Sequence, residues 1–407
     1  MKTQRGFPVT FWLLACLLIV AMCRQLFSAL SWAHDSYQMT EWLINYAGGF
    51  VRRGLPGSLI GMVSAASGIQ ANHLAIAISM ICFLILCAWL LRRATTTFPA
   101  VLILSCVAMG IPAYQDSIVR KDCLGLLLLL GCLHFERSRL SRPVAIGGVN
   151  LLACAAILCH ETFVFYALAG MVVFNRDETK TPAWPALLRR GFFLVPAGIA
   201  FLLAVIHHGT PRHAAAVNDS WIPLWNIIDP GNQAIGTPDA SIAALGWTTG
   251  QGLSLSLHML TTGFYQPMAW VLVFVVSLVL VALFTGRDRD ANTGAGMTAR
   301  IRVTALLLEQ LAFISPLFLL GVDYGRWLFL WVVSTMIFHT FGLRASMWME
   351  SIVRTAFEAV RMHRIVARFP AHDWYLLFFG VPVCWNLHNF LTASPLARHF
   401  DIIRSLF

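Results

Sequence analysis

Arg52 and Arg53 stand side by side in the stretch Gly48-Gly49-Phe50-Val51-Arg52-Arg53-Gly54-Leu55-Pro56-Gly57. Small residues on both sides let backbone amides and a planar guanidinium approach an anion closely, and arginine can hold phosphate through two parallel hydrogen bonds. The pair reads as a phosphate site, or as two arginines gripping lipid headgroups at a membrane interface. Other charged residues fall in short groups: Asp35 and Glu41; Asp116, Arg120, Lys121 and Asp122; His160 and Glu161; Asp323 and Arg326. Cations stabilise a departing phosphate, and a carboxylate takes the proton of an attacking hydroxyl. Asp35, Glu41, Glu161 and Asp323 are therefore candidate general bases, and Arg52, Arg53, Arg120, Lys121, His160 and Arg326 candidate ligands of phosphate or substrate. Glu161 and Asp323 sit in short loops, where partial burial is expected to raise their pKa toward that of a working base. The plainer alternative is local. Asp116 with Arg120, Asp122 with Lys121 and Asp323 with Arg326 would be neighbouring ion pairs or interfacial anchors, and His160 with Glu161 a buried, hydrogen-bonded pair.

Several other chemistries lack their residues. His160-Glu161-Thr162-Phe163-Val164 has no second histidine to complete a zinc-protease helix, and there is no Walker loop, dinucleotide fingerprint or Gly-x-Ser-x-Gly elbow. The ten cysteines lie within or at the edges of apolar runs, with no CxxC pair, which argues against a disulfide framework or zinc site. No metal and no cofactor is expected. Asn218-Asp219-Ser220 matches the glycosylation triplet but is expected by chance at this length.

The elements that must position these residues are membrane spans. Of 407 residues, 58% are apolar and 12% charged, about half the charge of an ordinary soluble domain. Apolar runs of helix length recur from end to end, without the short alternation of outer-membrane strands. The expected fold class is all-α, a polytopic helical integral membrane protein forming a single membrane domain over 1–407. Spans are expected near 11–32, 73–91, 98–113, 123–135, 144–159, 163–175, 191–206, 267–285, 303–320, 328–343 and 373–391, about eleven in all. The fourth and sixth are short for a full crossing and read as tilted partners inside the bundle or as half-helices. The first, preceded by Lys2 and Arg5, reads as a retained span rather than a cleaved signal.

With a cytoplasmic N-terminus, twenty Lys and Arg fall on the inner side and eight on the outer, with Arg24 left inside the first span. That bias is a positive-inside signature. The net charge of +10 is thereby explained by topology rather than by nucleic acid, which is not an expected partner. All five charged groups then collect on the outer side. Two outer loops are long. Residues 33–72 carry an expected interfacial helix around Glu41 to Ile44 and then a tight turn; residues 207–266, with Trp221, Trp225, Trp247 and Tyr265, are expected at headgroup level. On the inner side, 345–370 reads as a basic amphipathic helix resting on anionic lipid. Arg24 and Glu309 are intramembrane charges that could pair.

The stretch Asn45-Tyr46-Ala47-Gly48-Gly49-Phe50-Val51-Arg52-Arg53-Gly54-Leu55, after a first span and an acidic residue, resembles multi-span proteins of bacterial surface-polysaccharide systems. More broadly the plan is similar to membrane glycosyltransferases of the GT-C class and to Wzy-type polysaccharide polymerases. The first resemblance implies a catalytic acid in the first outer loop, at Asp35 or Glu41, although the paired acid expected beside Asp35 is missing. The second implies outer-face arginines on a lipid pyrophosphate, at Arg52, Arg53, Arg120 and Arg326. Either implies an enzyme of exopolysaccharide, capsule or O-antigen assembly in a bacterial cytoplasmic (inner) membrane. Its expected partners are a polyprenyl-phosphate-linked glycan, membrane lipids and other polysaccharide-assembly proteins. The alternative is a transporter or flippase of lipid-linked glycans, whose charges belong at mid-membrane. A sugar acyltransferase lacks its expected Arg-Gly and His signature.

Overall fold

The computed structural model describes residues 7–31, 37–115, 117–174, 184–221, 240–261, 267–287, 295–321, 323–368, 371–381 and 394–397. Among them the elements are helical. In chain order they are α1 (Val9–Ser31), α2 (Tyr37–Leu43), α3 (Gly54–Ser67), α4 (Ala71–Arg93), α5 (Ala100–Leu104), α6 (Gly110–Tyr114), α7 (Asp122–Arg137) and α8 (Arg142–Cys159). A π-turn over Val164–Leu168 leads into α9 (Ala169–Val173), then α10 (Trp184–Phe193), α11 (Val195–Ile206) and α12 (Pro211–Trp221). Then come α13 (Ala240–Ala243) with a 3-10 turn over Ala244–Gly246, α14 (Thr249–Thr261), α15 (Pro267–Phe284), α16 (Ala295–Leu320), α17 (Tyr324–Thr340), α18 (Met347–Ala359), α19 (Met362–Arg368) and a last short helix at Tyr375–Phe378.

Four helices are long and apolar enough to cross a membrane: Val9–Leu30, Ala71–Arg93, Arg142–Cys159 and Ala295–Leu320. α10 and α11, bent by 66° at their junction, make a fifth if they form one span. The eleven spans expected from hydropathy are thus not matched one for one, because an apolar run records absence of water and not contact with lipid. α17 shows this best. Nearly every residue from Gly325 to Phe338 is buried, so this helix is the centre of the bundle, walled by protein rather than lipid. The expected span at 98–113 is likewise two five-residue helices inside the core, and of 373–391 only a short helix at Tyr375–Phe378 lies within the described residues.

The break between α5 and α6 is built by Ser105. Its hydroxyl donates to Leu102 O (2.8 Å) and accepts from Val107 N (3.2 Å), and its carbonyl accepts from Gly110 N (2.9 Å). A β-carbon on Gly110 would lie 2.6 Å from the Ser105 carbonyl carbon and oxygen, so only glycine closes this corner. Buried Gln25 of α1 then secures the exit from α6. Its side-chain amide donates to Pro112 O (2.9 Å) and Ala113 O, and its Oε1 accepts from Ile118 N (3.2 Å). In the same way Gln310 of α16 donates to Tyr166 O (2.7 Å) in the π-turn and to Ser334 Oγ (2.9 Å). Irregular backbone survives in an apolar interior only where such side chains take up its freed polar groups.

Ion pairs and polar bonds define two ends of the bundle. At one end Arg137, closing α7, donates to Phe341 O after α17; Arg287 after α15 pairs with Asp373, which also accepts from Thr10 Oγ1 in α1 (3.0 Å). Glu309 accepts from Ser346 N (2.7 Å), so its partner is the start of α18; the Arg24 pairing is not what holds it. The opposite end gathers the starts of α7 and α17 and the ends of α8 and α16.

Two loops are more structured than their sequence suggests. Residues 33–72 contain α2, which is buried from Met39 to Leu43 rather than interfacial, and an additional helix, α3. In the loop 207–266, Trp221 is buried and donates to Leu43 O (2.8 Å), which packs α12 onto α2, whereas Trp247 is exposed. Trp225 and Tyr265 lie outside the described residues.

Candidate functional site

The charged end of the bundle is built from four segments far apart in sequence. The first is α2 with the turn that follows. Its Trp42 indole donates to Val119 O, Asn45 Nδ2 donates to Ser220 Oγ (2.8 Å), and Arg52 N donates to His207 O (3.0 Å). Gly57, opening α3, would drive a β-carbon to 2.1 Å from Ile44 O, so the turn folds back against α2 at backbone contact. Arg53 occupies the turn with φ 65°, a left-handed conformation that costs a non-glycine residue about 1 kcal/mol. Such strain persists where the surroundings fix the residue, and here they do.

Arg53 Nε lies 2.9 and 3.1 Å from the two Glu161 oxygens, its Nη2 is 2.5 Å from Glu161 Oε1, and its Nη1 is 3.4 Å from Glu41 Oε1. Glu41, with no exposed side-chain surface, also has His160 Nε2 at 3.0 Å and Arg120 Nη1 at 3.9 Å. Thr162 N donates to His160 Nδ1 (3.3 Å), which assigns the ring proton to Nε2, facing Glu41. Arg120 reaches Asp323 Oδ2 (3.2 Å), and Arg326 holds the same oxygen (2.8 Å) while forking onto Asp122 (2.8 and 2.9 Å). The Arg120 guanidinium lies 5.4 Å from the Tyr37 ring centre, and Lys121 Nζ 5.8 Å from that of Trp42 while donating to Cys159 O (3.3 Å).

The structure thus brings together Glu41, Arg52, Arg53, Arg120, Lys121, His160, Glu161, Asp323 and Arg326. Asp35 lies outside the described residues, as does Asp116. Of the local pairs, Asp323 with Arg326 is present, but Asp122 is taken by Arg326 from 204 residues away. Nothing in the sequence marks Tyr37 or Trp42, and Asp122, which stands in a charged group, takes its partner from another segment rather than from its neighbour.

Electrostatics reverse one expectation. Burial works to raise the carboxyl of Glu161, yet Arg53, His160 and Arg52 hold it well below the usual carboxylate range. Burial is likewise outweighed at Asp323, by Arg120 and Arg326, and at Glu41, by Arg326, His160 and Lys121. Burial and Arg53 push His160 down, against the opposing pull of Glu161 and Glu41. His160 aside, five cations (Arg52, Arg53, Arg120, Lys121, Arg326) face four carboxylates (Glu41, Asp122, Glu161, Asp323) among the described residues, an excess of one positive charge.

The excess is accessible at Arg52. Its side chain is 28% exposed, and among the described residues its one ion pair is a 3.5 Å contact with Glu161 and its buried Nε has no hydrogen-bond partner. Among the acids Asp323 is the most open, at 35%, and both arginine contacts fall on Oδ2. The guanidinium that contacts the open carboxylate directly is Arg120, so a partly exposed arginine and an accessible acid belong to the same ion-pair network.

Apolar spanning helices packed around such an end define a helical, multi-pass membrane protein. A family described as Rv1490: Uncharacterised membrane protein Rv1490 matches residues 11–173. That stretch carries Glu41, Arg52, Arg53, Arg120, Lys121, Asp122, His160 and Glu161, leaving only Asp323 and Arg326 of the clustered residues outside it. Neither curated proteins nor solved structures give a match.

Proposed function

We propose that the protein is a membrane glycosyltransferase or polysaccharide polymerase that uses a polyprenyl-phosphate- or pyrophosphate-linked sugar at the extracytoplasmic face of a bacterial inner membrane. In this reading the chain crosses the membrane about eleven times, counting buried and broken helices, with its N-terminus in the cytoplasm. The observation that supports it is one network of ion pairs at a charged end of an apolar bundle, which runs from an under-neutralised Arg52 through Glu161, Arg53, Glu41 and Arg120 to an accessible Asp323. A lipid-linked donor brings its own anion to that level, so no nucleotide-binding fold is needed.

The donor phosphate docks on Arg52 and Arg120. Glu161 and Glu41 hold Arg53, and Asp122 holds Arg326, as the fixed frame behind it. As the acceptor oxygen bonds to the anomeric carbon, the bond from that carbon to the phosphate oxygen breaks and the lipid phosphate leaves with the electron pair. Asp323 takes the hydroxyl proton. Its carboxyl is a weak base while Arg120 and Arg326 both face it. A phosphate that draws Arg120 away raises its basicity when the donor is in place.

The test is a deletion strain complemented with wild-type or Arg52→Lys protein at matched membrane levels. Lysine keeps the charge and loses the fork, so glycan output should fall at least about tenfold with normal insertion. Full output from a variant lacking both Arg52 and Arg53 sinks the proposal. A second reading, transport of the lipid-linked glycan, draws support from the broken α5 and α6 inside the core, since transporters use discontinuous helices. Precursor accumulating in the outer leaflet of the deletion strain favours transfer; accumulation in the inner leaflet favours transport.

A further inference from the structure

At the end of the bundle away from the charged cluster, α18 and α19 leave one face uncovered. Ser346 caps α18 by accepting from Met349 N (3.3 Å), Glu309 binds Ser346 N, and Glu350 forks with Arg344 (2.9 and 2.6 Å). Val353 and Glu350 are buried against the bundle. The helix is therefore fixed in place on its inner side.

Helical spacing puts Trp348, Ile352 and Ala359 on the side opposite Val353 and Phe357. Trp348 is 68% exposed, Ile352 42%, and Val360 and Ile365 continue the exposed apolar row. A helix that buries one apolar face in protein has no use for a second one in water. Arg354, Arg361, Arg364 and Arg368 are exposed along the same two helices, and none of them pairs with a carboxylate among the described residues. The chain turns between α18 and α19 at Arg361 (φ 52°), so the expected single helix over 345–370 is two short ones.

We propose that α18 and α19 form a docking surface for anionic lipid: Trp348, Ile352 and Ile365 enter the boundary between headgroups and acyl chains while the four arginines bind lipid phosphates. Charge complementarity selects this occupant. Four arginines without a carboxylate partner among the described residues, on the same segment as an exposed tryptophan, fit a negatively charged leaflet, where each basic side chain adds attraction and the apolar row adds depth. The surface is independent of the cluster around Glu41 and of the transfer reaction.

The experiment is hydrogen exchange on the full-length protein in nanodiscs of phosphatidylcholine alone, or with about 30% phosphatidylglycerol. Amides from Met347 to Arg368 should exchange about tenfold more slowly in the anionic discs, while the start of α7 is unaffected. The protection should vanish in R354Q/R361Q/R364Q/R368Q. Should that variant not fold, wild-type protein in about 1 M NaCl, where screening acts within about 3 Å, should lose the same protection. Equal exchange in both discs overturns the proposal. So does protection that follows protein concentration rather than lipid charge, which would assign the face to a second copy of the chain.

Discussion

Arg53 and Glu161, 108 residues apart, are joined by a two-pronged ion pair that ties the turn after α2 to the end of α8. The contact settles that these segments share one end of the bundle, and it keeps a strained arginine in place. Removing one partner should be costly and removing both less so. Glu161→Gln is expected to destabilise by about 2–3 kcal/mol, with a double variant showing strong coupling in thermal unfolding. Arg53→Gly, which relieves the left-handed strain, should be about 1 kcal/mol more stable than Arg53→Ala. Because Glu161 is held below its ordinary pKa, the stability it gives is present above the usual carboxylate range and is lost as pH falls through its folded value.

Asp323→Asn separates base chemistry from folding. Under the proposed reaction its glycan output should fall on the order of a hundredfold at matched protein levels. Glu41→Gln, at a fully buried acid facing Arg53, His160 and Arg120, should instead lower the yield of folded protein. Normal turnover by the Asp323 variant would remove that residue from the proposed chemistry.

Lys121 gives a pH signature. Burial lowers its pKa from 10.5 to about 8 even though Glu41 pulls it upward. Between those values the unfolded chain binds a proton that the folded one lacks, so stability rises with pH across the window and then levels. Melting temperatures of wild-type protein should show this rise from pH 8 to 10.5 relative to Lys121→Met, which should lack it. Parallel curves for the two proteins would show that Lys121 is not the titrating group.

Single cysteines at Ala47 and Leu140, both exposed, should react with an impermeant maleimide from opposite sides of the membrane, Ala47 from outside. The basis is that α7 starts at Asp122, bound to Arg326, and ends at Arg137, bound to Phe341 O. Labelling of both from one side would contradict the two-ended bundle.

The sequence by itself determined the class of molecule, because low charge and repeated apolar runs leave few ways to satisfy the backbone other than helices in lipid. It also located the charged groups, since each stands out against apolar neighbours, and nine of the ten candidates meet at one end of the bundle while Asp35 lies outside the described residues. It did not separate spans from core. The partly exposed α4 and the protein-walled α17 are both apolar, and hydropathy cannot tell hydrocarbon from packed side chains. Nor did it choose partners. Asp122 takes Arg326 rather than its neighbour Lys121, Trp42 and Trp221 join segments 77 and 178 residues apart, and Glu161 and Asp323 are lowered rather than raised. Those outcomes depend on distances of a few ångströms between distant segments. Coulomb interactions and hydrogen bonds at that range are fixed only once α2, α7, α8 and α17 have packed.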